Sequence, residues 1–257
     1  MTGEPPGPSN YVMRFSVLAT DFDGTIAHNG VLDPEAQRAI ADLRGLGIVV
    51  LLVTGRILRD LARVAGSLTF VDGIVAENGA VLAIPANASP VVLGSPPAPE
   101  FVDALRRKHI RIEIGESIVE ADAATAPTVI ETIRTLELPG VVIFNRDRLM
   151  SLPSGINKGT GLKAALKHLR LSPDHVLGLG DAENDHDLFD ACGCGVAVGW
   201  GSQALKDRAD DIVNGDGPSA VAAYLRAVAS RGQLPCHTRT AAGGARPGPT
   251  RGGPTGF

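Results

Sequence analysis

No apolar run in this sequence approaches the ~18 residues that a membrane-spanning helix needs. The first ten residues are rich in proline and glycine, and they lack the apolar stretch of a signal peptide. These two absences predict a cytoplasmic protein that has no membrane partner.

Cysteine is scarce as well. The three cysteines, Cys192, Cys194 and Cys236, are an odd count, and Cys192-Gly-Cys194 has the spacing of neither a redox motif nor a zinc site. We interpret the three residues as buried or incidental thiols.

An excess of positive charge is also missing. The net charge of −4 includes four arginines and no acidic residue in residues 231–257, so the rest of the chain carries about −8. An acidic globular part is not expected to bind nucleic acid generically. The expected partner is therefore a small molecule, and the expected assembly is a monomer or a homodimer.

What the sequence does contain is an alternation of short apolar runs with amphipathic segments. Residues 15–19, 48–53 and 175–179 are rich in Val, Ile or Leu, and polar residues follow each run, as expected for buried parallel strands. Helical patterns separate these runs, which implies right-handed crossovers. The predicted fold class is α/β, with a Rossmann-like parallel sheet.

The pattern changes after Gly79. A hairpin is predicted over residues 80–93, a stiff proline-rich linker over 95–99, and then a twofold helix-strand-strand repeat to residue 152. We therefore expect a core domain of residues 14–94 and 154–230 with a small α+β domain, residues 95–153, inserted in it. Residues 1–13 are predicted to form a flexible leader, and residues 231–257, rich in Gly, Pro and Arg, a disordered tail.

Two aspartates follow the first apolar run in the segment Asp21-Phe-Asp23-Gly24-Thr25. A carboxylate at Asp21 could attack a phosphoryl group and form an acyl phosphate, while Asp23 could protonate the leaving oxygen and then activate water. Gly24 and Thr25 allow a sharp turn whose backbone amides face the phosphate. A lone aspartate here would more simply cap a turn, and it is the pair that favours phosphoryl transfer.

Polar residues follow the other apolar runs too, and ligands bind outside the carboxyl ends of such strands. Thr54 offers a hydroxyl to a phosphate oxygen, and Lys158 a compact positive charge. Asp181 and Asp185 add carboxylates, and close carboxylates facing a phosphate dianion repel it unless a cation intervenes. Hard oxygen ligands beside phosphate select Mg²⁺. Each of these residues alone would be interpreted as structural.

The order of these segments resembles the four motifs of the haloacid dehalogenase (HAD) superfamily over about residues 14–230. The position of the small inserted unit, together with Asn78-Gly79-Ala80, is similar to the type IIB (Cof-like) phosphatases with a C2-type cap. The segment 199–202, Gly-Trp-Gly-Ser, departs from the Asn-Ala pair of many relatives. The four motifs stand here as Asp21-Phe-Asp23-Gly24-Thr25, Thr54-Gly55-Arg56, Lys158-Gly159 and Gly180-Asp181-Ala-Glu-Asn184-Asp185.

The resemblance implies a phosphatase with an aspartyl-phosphate intermediate, in which Asp21 is the nucleophile and Asp23 the general acid and base. It implies Mg²⁺ held by Asp21, the main-chain carbonyl of Asp23 and Asp181, while Asp185 supports the metal or Lys158. The residues expected at the substrate phosphate are Asp21, Gly24, Thr25, Thr54, Gly55, Arg56, Lys158 and Asn184.

Within this chemistry the substrate stays open, with a sugar phosphate or phosphoglycolate as examples. The specificity residues are expected in the cap, where the basic run 106–111 and the pair Arg146 and Arg148 are most simply a helix end and a turn. A phosphomutase is the nearest alternative activity. A receiver-like regulatory module is less favoured because it would lack the paired aspartates and the cap. A catalytically silent phospho-ligand-binding protein is less favoured because it would not need all the functional groups that phosphoryl transfer requires.

Overall fold

A computed structural model of the protein describes residues 15–84, 89–145 and 147–232. The predicted leader and all but the first two residues of the predicted tail lie outside these ranges, as does Arg146. Among the helices of the described ranges, none has the length and apolar character required to span a bilayer.

The described residues form fourteen strands and eight α-helices. The strands are β1 (Val17–Thr20), β2 (Ala27–His28), β3 (Val31–Leu32), β4 (Val49–Val53), β5 (Gly73–Ala76), β6 (Val81–Ala83), β7 (Val91–Val92), β8 (Ile112–Ile114), β9 (Val119–Asp122), β10 (Gly140–Asn145), β11 (Arg148–Pro153), β12 (Val176–Gly180), β13 (Cys194–Val198) and β14 (Asp211–Val213). The helices are α1 (Pro34–Gly45), α2 (Leu58–Ala65), α3 (Pro99–Arg107), α4 (Ala126–Thr135), α5 (Lys158–Leu169), α6 (His186–Asp190), α7 (Gln203–Lys206) and α8 (Pro218–Arg231).

An eight-stranded sheet in the order β14-β13-β12-β1-β4-β5-β6-β7 forms the centre of the molecule. The first six strands are parallel, and β6 and β7 continue the sheet as an antiparallel hairpin. In β1, Val17 is in register with Val176 of β12 on one side and with Val49 of β4 on the other. The predicted parallel sheet is confirmed, and three of its motif-bearing strands are immediate neighbours.

Helices cover both faces of this sheet because its central strands are apolar in both directions. On one face Leu18 of β1 packs in the same cluster as Ile40 of α1 and Leu225 of α8. On the other face Ala19 shares a cluster with Leu166 of α5. Each fully buried leucine or isoleucine stabilises the fold by about 1.5–3 kcal/mol. The result is a three-layer α/β structure.

A second, antiparallel sheet in the order β10-β11-β9-β8 lies in the segment between β7 and α5. The chain order α3-β8-β9-α4-β10-β11 is the predicted helix-strand-strand repeat. Phe101 and Leu105 of α3 and Val129 of α4 pack with Leu149 of β11 in one cluster. This small unit therefore has an apolar core of its own.

Two details differ from the sequence interpretation. The hairpin of β2 and β3 was not predicted, because two-residue strands carry no readable alternation. Cys192 is a buried thiol as predicted, whereas Cys194 is disulfide-bonded. The interpretation of Cys194 as a thiol is therefore wrong, because the spacing of cysteines in a sequence does not reveal which of them form a disulfide. Cys236 lies outside the described residues.

Candidate active site

Asp21 stands at the centre of the carboxyl edge of the large sheet. It follows β1 directly, and its backbone N–H donates to the carbonyl of Leu179 in β12 at 2.8 Å. Its side chain is buried, with the residue only 5% exposed, and Oδ1 accepts a hydrogen bond from Lys158 Nζ at 2.6 Å. The parallel pairing of β1 with β12 thus brings two distant motifs together.

Lys158 is the first residue of α5. Asn157 caps this helix, since its side chain accepts from the Thr160 N–H and its own backbone N–H donates to the Thr160 hydroxyl. The helix start lies against Gly79, where a Cβ would stand 2.0 Å from the Asn157 carbonyl oxygen, so only glycine fits. Lys158 Nζ then reaches both Asp21 and Asp185 at 2.6 Å.

Charge in this cluster is unbalanced. Burial would lower the pKa of Lys158, but the negative charges of Asp185 and Asp21 outweigh it and raise that pKa. Burial raises the pKa of Asp21 well above its usual value, and Asp185 and Asp181 raise it further against the opposing effect of Lys158. The ammonium group of Lys158 therefore contacts two of the three clustered carboxylates, and additional positive charge would stabilise their ionised forms.

The three carboxylates are close enough to share a cation. Asp21, Asp181 and Asp185 each offer an oxygen, and these atoms lie within 4.8 Å of one another. Asp185 is already engaged, because Oδ1 accepts from Lys158 while Oδ2 accepts from the N–H groups of Asp181 and Ala182 at 3.0 and 3.1 Å. A cluster made only of hard oxygen donors fits a divalent cation such as Mg²⁺.

Asp23 forms an ion pair with Arg56. The guanidinium donates from Nε to Asp23 Oδ2 at 2.5 Å and from Nη2 to Oδ1 at 2.7 Å, and it lies 5.8 Å from the centre of the Phe22 ring. The hydrogen bond to Asp23 is the main cause that raises the pKa of Arg56. The pair joins the first two motifs across β1 and β4.

Three backbone amides of the same turn have no acceptor among the described residues. In the part of the chain that the structure describes, the N–H groups of Phe22, Asp23 and Thr25 donate to no protein atom, although Phe22 and Thr25 are fully buried. Buried amides without acceptors are uncommon, and successive free amides form anion-binding concavities. The Thr25 hydroxyl lies 3.4 Å from both Asp21 Oδ2 and Asp181 Oδ1.

The remaining predicted residues border the same region. Thr54 is buried at the end of β4, and its hydroxyl accepts from the Arg56 N–H at 3.2 Å. Asn184 Nδ2 donates to Asn78 Oδ1 at 3.4 Å. Asn184 and Lys158 both line a cavity of about 310 Å³ beside the acidic cluster.

A cavity of about 300 Å³ lies between the two sheets. From the large sheet its walls include Asp21, Asp23, Thr54, Gly55 and Arg56, and from the small unit they include Glu113, Glu120, Asn145, Arg148 and Met150. Arg148 Nε donates to Glu120 at 2.6 Å, and Nη2 lies 3.8 Å from Glu113. The small unit thus contributes a charged wall opposite the two aspartates.

This wall corrects one interpretation of the sequence. Arg148 is the first residue of β11, the last predicted strand of the repeat, and it lines the cavity, so it does more than form the turn before that strand. Strand alternation places a residue toward one face, and a two-residue spacing of arginines cannot reveal which face that is. The basic run is a helix end as predicted: α3 stops at Arg107, and Arg106 lies 3.9 Å from Asp103 on an exposed surface.

Two residues with clear contacts are absent from the site predicted from the sequence. Glu77 is fully buried, and its carboxylate accepts the N–H groups of Glu116 and Ser117 in the small unit at 3.0 and 2.9 Å. Trp200 donates its indole N–H to the carbonyl of Gly24 at 2.7 Å. For Trp200 the sequence contains one indication, because the segment 199–202 departs from the Asn-Ala pair that many relatives have there.

Comparison with known proteins gives a consistent result. The sequence pattern of the haloacid dehalogenase-like hydrolases matches residues 18–114 and 118–225. The chain is 29% identical to a phosphoglycolate phosphatase of Methanothermobacter thermautotrophicus, over 81% of this chain and 96% of that protein. It is 30% identical to a phosphoglycolate phosphatase of Archaeoglobus fulgidus, over 80% and 94%.

A solved structure supports the same architecture. The fold matches a sugar phosphatase of HAD subclass IIB with a TM-score of 0.66 and 16% identity, over 84% of this chain and 99% of that one. At this identity the match concerns the fold alone. Phosphatases of this superfamily generally use a divalent metal, with which the buried aspartate cluster is compatible. This chain therefore belongs to the haloacid dehalogenase-like hydrolases, and it is a phosphoric monoester hydrolase with the fold of the type IIB branch.

Proposed function

We propose that the protein is a Mg²⁺-dependent phosphatase that hydrolyses a small phosphorylated metabolite through an aspartyl phosphate on Asp21. The observation that carries the proposal is the combination of a buried carboxylate, a shared lysine and free backbone amides at one sheet edge. A phosphoryl group at this point meets a nucleophile, a positive charge and hydrogen-bond donors together.

The proposed reaction has two steps. In the first, an Asp21 carboxylate oxygen bonds to phosphorus as the ester bond breaks, and Asp23 gives its proton to the departing alkoxide. In the second, Asp23 takes a proton from water, whose oxygen attacks phosphorus, so that Asp21 and inorganic phosphate are released. The contact between Asp23 and Arg56 holds the carboxyl group at the cavity wall until the substrate phosphate attracts Arg56.

The other residues bind and orient. Asp21, Asp181 and the Asp23 carbonyl are the proposed Mg²⁺ ligands, and Asp185 keeps Lys158 and the Asp181 loop in place through the contacts already described. Bound Mg²⁺ would neutralise charge on the phosphoryl oxygens. The proposed phosphate contacts are Thr25, Thr54, Gly55, Arg56, Lys158 and Asn184. Gly24, which the sequence also places at the phosphate, instead shapes the turn, because its N–H donates to the Ala27 carbonyl at 2.9 Å.

The substrate is proposed to sit in the cavity between the sheets, covered by a cap of residues 95–153. A cavity of about 300 Å³ suits a small metabolite. The phosphoglycolate phosphatases similar in sequence and the sugar phosphatase similar in fold make phosphoglycolate and sugar phosphates the first compounds to test. Location in the cytoplasm and assembly as a monomer or homodimer stay predictions of the sequence.

A phosphate-release screen of phosphorylated metabolites, with and without Mg²⁺, tests the proposal. Wild type should release phosphate only with Mg²⁺ and without any bisphosphate activator, and Asp21→Asn should show no release above background. Asp103→Asn on exposed α3 is the matched control, with unchanged turnover. Equal turnover in Asp21→Asn and wild type contradicts the mechanism, whereas a requirement for a bisphosphate would identify a phosphomutase.

A further inference from the structure

The loop after β13 approaches the site from the side opposite Arg56. Trp200, in residues 199–202, is the only tryptophan of the chain, and its indole N–H donates to the Gly24 carbonyl at 2.7 Å. The ring is partly buried and packs against the large apolar cluster. A neutral hydrogen bond from a ring anchored in this way fixes the position of its acceptor.

The Gly24 carbonyl belongs to the peptide unit that also contains the Thr25 N–H. Peptides are planar and, in the described residues, trans, so this carbonyl and N–H point to opposite sides. Fixing one therefore sets the direction of the other. Thr25 N–H is one of three amides in this turn for which the described part of the chain offers no acceptor.

The same loop is also attached to the acidic cluster. Ser202 N–H donates to the carbonyl of Asp181 at 2.7 Å. A Cβ at Gly201 would lie 2.6 Å from that oxygen, so the close approach requires glycine beside Trp200. Residues 199–202 thus bridge the turn that follows Asp21 and the loop that contains Asp181.

From these contacts we propose that Trp200 is a positioning residue, which holds the amides of Phe22, Asp23 and Thr25 toward the phosphoryl group and keeps that turn in register with Asp181. The inference rests on the proposed function, because it assigns those amides to the substrate phosphate. Trp200 itself touches neither substrate nor metal.

Trp200→Phe tests the role, since it removes the donor and retains most of the ring. Removal of one oxyanion donor costs about 10²–10³ in kcat, and a misdirected donor should cost less, about ten-fold. We expect kcat to fall by about that factor with KM within about two-fold, because the amides act most strongly on the transition state. Mg²⁺ affinity, measured calorimetrically without substrate, should fall several-fold.

Tyr224→Phe is the matched control. It removes one hydrogen bond of a partly buried aromatic ring, from Tyr224 Oη to Asp211 at 2.8 Å, and Asp211 belongs to the edge strand β14, three strands from β1 in the large sheet. Its kcat and Mg²⁺ affinity should equal those of wild type. If Trp200→Phe matches this control in both measurements, or if the two variants lose activity equally, the proposal is overturned.

A measurement on wild type covers the case in which Trp200→Phe does not fold. Titration of ¹⁵N-labelled protein with Mg²⁺ and inorganic phosphate should shift the amide resonances of Phe22, Asp23 and Thr25 together with the Trp200 indole N–H. An indole resonance that stays unchanged while the amides shift overturns the role of Trp200. Absence of phosphate release from every ester would instead refute the proposed function, and this titration would still test the positioning role.

Discussion

Replacing Glu77 by alanine should weaken the contact between the large sheet and the small unit. The Glu77 carboxylate is fully buried and accepts two backbone N–H groups, from Glu116 at 3.0 Å and from Ser117 at 2.9 Å. The backbone of Glu77 has a φ of +53°, a left-handed conformation that costs a non-glycine residue about 1–2 kcal/mol. Such a conformation persists because the contacts of the side chain offset its cost.

The magnitude follows from those two hydrogen bonds. A hydrogen bond to a charged group contributes about 1.5–3 kcal/mol, and a buried donor left without an acceptor costs about 1–3 kcal/mol. Ser117 is buried and loses its acceptor outright, whereas exposed Glu116 can donate to water. Removal of a buried charge offsets part of the loss. We expect Glu77→Ala to lower the free energy of unfolding by about 2–3 kcal/mol, or the Tm by about 5–10 °C.

Urea unfolding followed by circular dichroism measures this change. Glu116→Ala is the control, because it keeps the backbone donor of the same turn and changes only an exposed side chain. Amide exchange at Ser117 should accelerate in Glu77→Ala alone. The KM of this variant should also rise more than its kcat falls, because the small unit, which carries Arg148 on the cavity wall, loses a contact with the large sheet. A free energy of unfolding within about 0.5 kcal/mol of wild type would refute the reasoning.

Two further predictions concern the acidic cluster. Lys158→Met should destabilise the metal-free protein by about 3–5 kcal/mol, because two buried carboxylates lose their shared cation. Urea unfolding in the presence of a chelator measures this change. The control is Lys163→Met at an exposed position, which should change stability by less than about 0.5 kcal/mol. Because the fold raises the pKa of Asp21, the contribution of this carboxyl group to the stability of the metal-free protein falls as the pH rises above the ordinary pKa of an aspartate. The gain in Tm from added Mg²⁺ should therefore be larger at about pH 8 than at about pH 5, and an equal gain would show that Asp21 ionisation is not coupled to the metal.

The chemistry of the site could be predicted from the sequence because its residues follow the ends of strands. Asp21, Thr54 and Asp181 each end an apolar run, and parallel neighbours bring such ends to one edge whatever the intervening sequence. The alternation of apolar runs and helical patterns likewise determined the parallel sheet and the inserted repeat. These features depend on local pattern and on rules of chain connection, which the sequence contains in full.

Only the tertiary structure decided which groups meet across those edges. The pairing of Asp23 with Arg56, the attachment of Glu77 to the turn before β9 and the hydrogen bond from Trp200 to Gly24 join residues at least 33 positions apart in the chain. The direction of Arg148 into the cavity depends on the packing of the small sheet against the large one. Such contacts depend on how packed elements are placed relative to one another, and no local periodicity in a single sequence encodes that placement. The paired aspartates could be predicted because they directly follow one apolar strand.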